Sequence, residues 1–444
     1  MSATRRASHL TLRNDLRACT DDGITHAFMV GVGETFIPAF ALAAGAAQVH
    51  GGLVYTIPFL VGATVQLLTP AGVERIGSPR KWILLCATIQ ALCFIPMAIA
   101  AMAGAVPLLL VYVCASIYWT VNLGAAPAWN AWVGALFPAR IRAAYFSRRS
   151  RICQIALLAG LLLGGVLISR FEHTPLELAS FALLFMAASL SRALSTPALV
   201  AQSEPRHLPP ARRVSPVEFL RRIRGAPEGR VVAALLVFML AVQVSSPFVT
   251  PYMLRGLAMD KDQFTISVVT LFAAKSLALP LVGRLAGTWG ARRLLMAGAV
   301  VVAAASGLWI VSTAPTWIYA MQLVSGAGWA AYEMALFLLL LEHIREEERT
   351  AMYAAYYFFN AIVTVIGSFV GAWAIDALGG GVTAYWWVFG ASAVLRFAAI
   401  PLMLRIPRHG HERMVPVVAI EVGTEAGAMD EPIIAARPSS EVGR

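Results

Sequence analysis

Long apolar runs separated by short polar breaks recur along nearly the whole chain. Runs long enough for a helix to cross roughly 30 Å of hydrocarbon lie at about 22–46, 50–70, 82–103, 105–135, 147–170, 177–200, 231–255, 264–286, 293–312, 316–342, 351–377 and 383–406. The pattern predicts an all-α membrane protein of twelve transmembrane helices. Runs near thirty residues, such as 105–135, predict a tilted helix that continues beyond the hydrocarbon.

The breaks set the organisation. Residues 1–21 form a polar segment with Arg5, Arg6, Arg13 and Arg17 and without the apolar stretch of a cleavable signal. Two six-helix bundles follow, 22–200 and 231–406, separated by a linker, 201–230, that carries Pro205, Pro209, Pro210, Pro216, Pro227 and seven arginines. Within the linker, Phe219, Leu220 and Ile223 beside Arg221, Arg222 and Arg224 predict a short helix lying on anionic lipid. Residues 407–444 are polar and read as a disordered tail.

Composition agrees with a lipid solvent: 59% of residues are hydrophobic and 13% charged, against roughly 45–50% and 25% in soluble domains. Cytoplasmic loops of membrane proteins collect Lys and Arg. With the amino terminus inside, 29 of the 35 basic residues fall in inner segments or adjoining span ends, while the outer loops hold only Arg170, Arg255 and Lys261. Both termini are therefore expected in the cytoplasm of a cell whose inner (plasma) membrane holds the protein. The net charge of +11 then reflects topology rather than nucleic-acid binding. Cys19, Cys86, Cys93, Cys114 and Cys153 show no CxxC or metal-like spacing and read as packing residues. No Walker loop, HExxH or nucleophile elbow occurs, so neither an enzyme nor a metal or other cofactor is expected.

The second half repeats the first at a nearly constant offset. Pro38, Phe59, Gly77 and Arg80 fall on Pro251, Phe272, Gly290 and Arg293; Arg142, Gly160 and Gly164 fall on Arg349, Gly367 and Gly371; Arg192 and Pro197 fall on Arg396 and Pro401. Internal repeats of this size are common in secondary transporters.

The loop Pro70 to Lys81, with Glu74, Arg75, Gly77 and Arg80, is similar to the G-x-x-x-D-R-x-G-R-R motif of the major facilitator superfamily, with Pro70 for the first glycine and Glu74 for the aspartate. Gly283 to Arg293 partly repeats it. Across about 22–406 the chain resembles that superfamily, and the stretch Pro127 to Arg151 resembles a bacterial branch of it. The resemblance implies that Glu74, Arg75, Gly77 and Arg80 belong to a gate latch on the inner side, with Arg142 on the next inner loop. It also implies that the first, fourth, seventh and tenth spans line a central cavity. By position this gives Glu34; Tyr118, Asn122 and Trp129; Gln243, Ser246 and Thr250; and Gln322, Trp329 and Glu333. The fifth-span row Ala156, Gly160, Gly164 and Gly165 partly matches an exporter-associated pattern and leans weakly to efflux, although close helix packing explains it equally well.

Charges within spans are costly and are functional candidates by default. Glu34, Lys275 and Glu333 stand out. Gly31 and Gly33 would let another helix or a ligand approach Glu34. Gln322, Ser325, Gly326, Trp329 and Glu333 share one helical face. A low dielectric disfavours a charged carboxylate, so either glutamate could carry a proton; alternatively Glu333 pairs with Lys275 and locks the second half. Arg192 and Arg396, repeated in both halves, read as structural, holding neighbouring carbonyls. The expected function is alternating-access transport of a small organic, amphipathic solute with the proton as coupling ion, by a monomer. The competing reading is a non-transporting assembly factor or receptor of the same fold.

Overall fold

The computed structural model describes residues 3–46, 48–172, 174–204 and 214–406; the expected tail and residues 205–213 of the linker lie outside them. Among the described residues all regular structure is helical, and twelve helices are long and apolar enough to cross a membrane. In chain order the spans run Thr11–Ala43, Leu53–Ile76, Pro79–Met102, Leu108–Leu136, Ala139–Phe171, Glu177–Ala201, Gly229–Leu254, Asp262–Trp289, Ala291–Leu308, Pro315–His343, Glu346–Ala377 and Val382–Met403. An even number of crossings returns the chain to the side on which it began, called here the terminal face.

Helix extends well past several apolar runs. The first helix begins at Ala3, nearly twenty residues ahead of its run, because neighbours satisfy its polar positions. Asp15 accepts the Ser203 backbone N–H, Tyr145 donates to the Leu16 carbonyl and Arg149 donates to the Cys19 carbonyl. The fifth span likewise starts at Ala139, so the arginines from Arg140 to Arg151 lie on helix rather than in a loop.

Span pairing shows the repeat in three dimensions. The first span packs on the fifth and sixth, the third on the fourth and sixth, and the second on the fourth. The second half reproduces every one of these pairs: seventh with eleventh and twelfth, ninth with tenth and twelfth, eighth with tenth. Matched glycines make matched contacts. A Cβ on Gly160 would come 2.8 Å from the Phe28 carbonyl oxygen of the first span, and one on Gly367 would come 2.9 Å from the Leu240 carbonyl oxygen of the seventh. These glycines let the backbones approach where lipid supplies no hydrophobic drive to association.

The first and seventh spans are both broken. The first leaves α-helix at Val32, passes through Gly33 and a 3-10 turn at Glu34–Phe36, and resumes at Ile37–Ala43. The seventh leaves it at Gln243, makes a 3-10 turn at Ser246–Phe248, and passes through a π-turn at Tyr252–Gly256. The matched prolines Pro38 and Pro251 follow the two breaks; Pro38 lies in the first turn of the resumed helix, where a missing N–H costs no intrahelical hydrogen bond.

The halves meet toward the terminal face. The fifth span packs along the eighth, so closely that a Cβ on Gly283 would collide with the Ser147 side chain. Asn130 of the fourth span donates to the Tyr357 hydroxyl of the eleventh at 3.0 Å, and Trp129 and Phe337 face each other with ring centroids 6.5 Å apart.

The linker helix Pro216–Gly225 forms as predicted, with Ser215 as its N-cap; its apolar residues divide, Leu220 remaining exposed while Phe219 turns inward. Phe219 is fully buried and stacks on Phe359 at 5.2 Å, and Arg222 pairs with Glu348 and Glu218.

Gly160→Val should therefore overpack the first and fifth spans, destabilising the protein by about 1–3 kcal/mol. Gly165→Val, where a Cβ meets nothing within 4 Å, should leave the melting temperature in detergent unchanged; equal losses in both variants would contradict this packing.

Candidate functional site

Three cavities occupy the interior faces of the bundles. The first, of about 230 Å3, lies within the amino-terminal half and is lined by Asp22, His26, Asn122, Trp129, Arg149 and Arg192 among others. The second, of about 210 Å3, lies between the halves and shares Trp129 and Arg149 with the first; Phe146, Lys275, Glu333 and Phe337 complete its polar and aromatic wall. The third, of about 270 Å3, lies in the carboxy-terminal half, where Ser246, Thr250, Gln322, Trp329 and Arg396 line it.

Most positions expected to line a central cavity do so. Asn122 and Trp129 face the first cavity, and Gln322, Ser325 and Trp329 face the third, while Glu333 continues the same helical face into the second. Three expectations need correction. Glu34 lines none of the three cavities. Tyr118 is fully buried among Phe94 and Trp119 and lines none of the three cavities. Gln243 sits where the seventh span breaks, its Cβ against Gly367 of the eleventh, and likewise lines none of them.

Tyr118 instead serves Glu34. Its hydroxyl donates to Glu34 Oε2 at 2.5 Å, at the point where the first span loses α-helical form. Among the described residues no cation pairs with Glu34. Gly31 and Gly33 beside it are filled by protein rather than held open: a Cβ on Gly31 would collide with the Leu157 carbonyl oxygen, and one on Gly33 would meet Ala188. Glu333, in contrast, is gripped by Lys275 through both carboxylate oxygens, at 2.8 and 2.6 Å. The pairing leaves the carboxylate half-exposed toward the second cavity while the ammonium is mostly covered.

The two repeated arginines are buried and solve the same problem differently. Arg192 donates to Gln90 and Ser195 and pairs with Asp22 at 3.2 Å; Gln90 in turn donates to Asn122. Arg396 has no carboxylate among the described residues. It donates to the Val302 and Val242 carbonyls and to Ser245 and Ser392, using the oxygens that the break in the seventh span brings within reach. The expected carbonyl-holding role thus describes Arg396; Arg192 is the centre of an ion network.

The loop residues compared with the latch motif are mostly local. Gly77 ends the helix Thr69–Ile76 at φ 75°, and its repeat partner Gly290 sits at φ 78°, a region that strains other residues. Arg80 donates to the Val200 and Gln202 carbonyls and pairs with Glu204 at 3.3 Å, so it fastens the third span to the end of the sixth within one half rather than bridging the two. Glu74 and Arg75 are exposed at this turn, beside the contact between the second and eleventh spans. Arg142 caps the fourth span through the Phe137 and Gly134 carbonyls, as its counterpart Arg349 caps the tenth through Leu341.

Sequence reading missed Asp22, His26 and Arg149. Asp22 fell at the assumed edge of the first span, and Arg149 was one of several arginines attributed to topology. The available signal was the four-residue spacing of Asp22 and His26, which puts both on one helical face.

A family profile described as Major Facilitator Superfamily matches residues 231–426. The fold is similar to that of several solved transporters. The human organic anion transporter MFSD10 (TETRAN) is 15% identical, with a TM-score of 0.68 over 88% of this chain and 99% of that one. The Escherichia coli fucose:proton symporter FucP is 14% identical, with a TM-score of 0.70 over 88% and 99%. The proton:xylose symporter XylE is 14% identical, with a TM-score of 0.67 over 90% and 96%. The second half of the chain matches the major facilitator superfamily, and the whole chain has the fold of its solved transporters. No curated protein sequence matches the chain. That match over the second half, with twelve apolar helices in two pseudo-symmetric halves, indicates a multi-pass membrane protein and supports a secondary transporter.

Arg396→Met should remove four hydrogen bonds from a buried cluster in which Ser245 and Ser392 keep each other, Ser306 and the Ala241 carbonyl as partners. Hydrogen bonds to a charged group contribute about 1.5–3 kcal/mol each, so a clear loss of melting temperature and of monodisperse yield is expected. Unchanged stability would show that the carbonyls have other donors.

Proposed function

We propose that this chain moves a small organic, amphipathic solute by alternating access, with the proton as coupling ion and Glu34 as the group that carries it. The arrangement of Glu34 supports the reading most directly. A carboxylate sits at the break in the first span, held by a neutral hydroxyl and, among the described residues, by no cation, so a proton is the simplest means of neutralising it. Glu333 is already neutralised by Lys275, which suits it to a pair that opens and closes between the halves. The aromatic walls formed by Trp129, Phe146, Phe337 and Trp329 favour a solute with an apolar body over a small inorganic ion.

Alternation requires two packings of the halves. Contacts from Asn130 to Tyr357 and from Trp129 to Phe337 hold the terminal face closed, and the broken first and seventh spans are where the bundles can bend. The basic residues on the terminal face favour a cytoplasmic placement of both termini in the inner (plasma) membrane. The glycines of the fifth span pack on the first and lend no separate support to export.

The test is proton movement in liposomes containing a lumenal pH dye, with a solute found by thermal-shift screening of the purified protein. Wild type should move protons when the solute is added. Glu34→Gln should retain solute exchange while gradient-driven accumulation falls at least about tenfold, a loss of about 1.4 kcal/mol of coupling. Unaltered coupling in Glu34→Gln would remove Glu34 from the role, and a folded wild type that neither binds nor moves any solute would favour an assembly factor or receptor.

A further inference from the structure

The amino-terminal cavity carries a surplus of positive charge for which the described residues offer one counter-ion, Asp22. Arg149 and Arg192 both approach Asp22, at 3.9 and 3.2 Å, so two cations share one carboxylate and one charge remains. All three side chains are more than four-fifths covered. The adjoining cavity adds no net charge, because Lys275 and Glu333 cancel. Asp21 is exposed and does not line the cavity.

Hydrogen-bond accounting shows which arginine has more capacity to spare. Arg192 spends its Nε–H on Gln90 and its Nη1 hydrogens on Ser195 and Asp22. Among the described residues Arg149 spends only its Nε–H, on the Cys19 carbonyl; its Nη2 is too far from Asp22 for a hydrogen bond, and the rest of its five-donor fork is unspent. The guanidinium lies over the Trp129 ring at 4.7 Å, which orients it without cancelling its charge. His26 Nδ1, buried on the wall of the same cavity, has no partner either. Arg149 and Trp129 line both cavities, so a group held on this fork in the first would have its remainder against Phe146 and Phe337 in the second.

We propose that Arg149, backed by Arg192 and His26, binds the anionic head of the solute, a carboxylate or sulfonate, while a ring-sized apolar body occupies the adjoining cavity. A planar fork with parallel N–H groups matches a carboxylate in a bidentate manner. The single surplus charge selects a monoanion, and binding it completes the neutralisation of the network. This assigns a substrate class to the transport site and so rests on the transport reading above.

The experiment compares 2-naphthoate with its neutral isostere 2-naphthamide in thermal-shift titrations of the full chain in detergent, with phosphatidylglycerol as a third probe. Naphthoate is expected to bind wild type at least tenfold more tightly than naphthamide, to lose at least tenfold in Arg149→Gln, and to recover partly in Arg149→Lys. Equal binding of the two isosteres to wild type would overturn the proposal without need of any variant, as would undiminished naphthoate binding in Arg149→Gln. Stabilisation by phosphatidylglycerol alone would also overturn it, assigning the charge to lipid. Liposome uptake separates the two readings: naphthoate bound at Arg149 but never moved would leave the anion site standing and remove transport. Proton-coupled uptake of neutral solutes, with no preference for anions, would do the reverse.

Discussion

Arg396 must place a full positive charge and five N–H donors inside a bundle of helices whose backbone carbonyls are already engaged. Lipid offers nothing to bind them. The solution is the break in the seventh span, which brings the Val242 carbonyl and the Ser245 hydroxyl within reach, together with Val302 and Ser392 from the flanking helices. Span break and buried arginine support each other: a continuous helix would withhold the oxygens of the seventh span, and an apolar residue at 396 would remove the donor that all four share. The same requirement, that every polar group be answered from within, governs the first half, where Asp22 and Gln90 meet Arg192.

The halves are therefore alike in span pairing and unlike in electrostatics. Gly160 and Gly367, Gly77 and Gly290, and Arg142 and Arg349 each make equivalent contacts in the two halves. The arginines of the sixth and twelfth spans do not: one sits in an ion network, the other in a nest of carbonyls and serines. Backbone-level demands are symmetric because the repeat is symmetric. The charges facing the cavities have diverged, as expected where the two walls of a site have different tasks.

Much of this was legible in the residues. Apolar runs announced twelve spans, and matched Gly, Pro and Arg positions announced the repeat, because close approach, helix breaks and buried cations each demand particular residue types. Helix ends were less legible: residues 3–21 and 139–146 are polar enough to read as loop, yet they are held in helix by partners such as Tyr145, Asp15 and Arg142 that are remote in sequence or hidden in the fold. The Lys275–Glu333 pair could be posed only as one of two readings, since spacing within separate helices does not fix their rotation. Phe219 illustrates the same limit, because an amphipathic helix shows an apolar face without showing whether lipid or protein covers it. Asp22, His26 and Arg149 escaped notice because charges near a span end are usually interfacial, and only the packing of the first span on the fifth draws them inside.

The central claim is that the two halves exchange closure at the terminal face for closure at the opposite one. Electron–electron resonance distances on spin-labelled pairs test it directly, with one pair at Arg140 and Glu347 on the terminal face and another at Leu176 and Thr383 on the opposite face. All four positions are exposed. Between wild type and Glu34→Gln, and on adding a bound solute, the two distances should shift in opposite senses, one lengthening as the other shortens. A single distance at each face, unchanged by the substitution and by solute in a folded protein, would contradict the account.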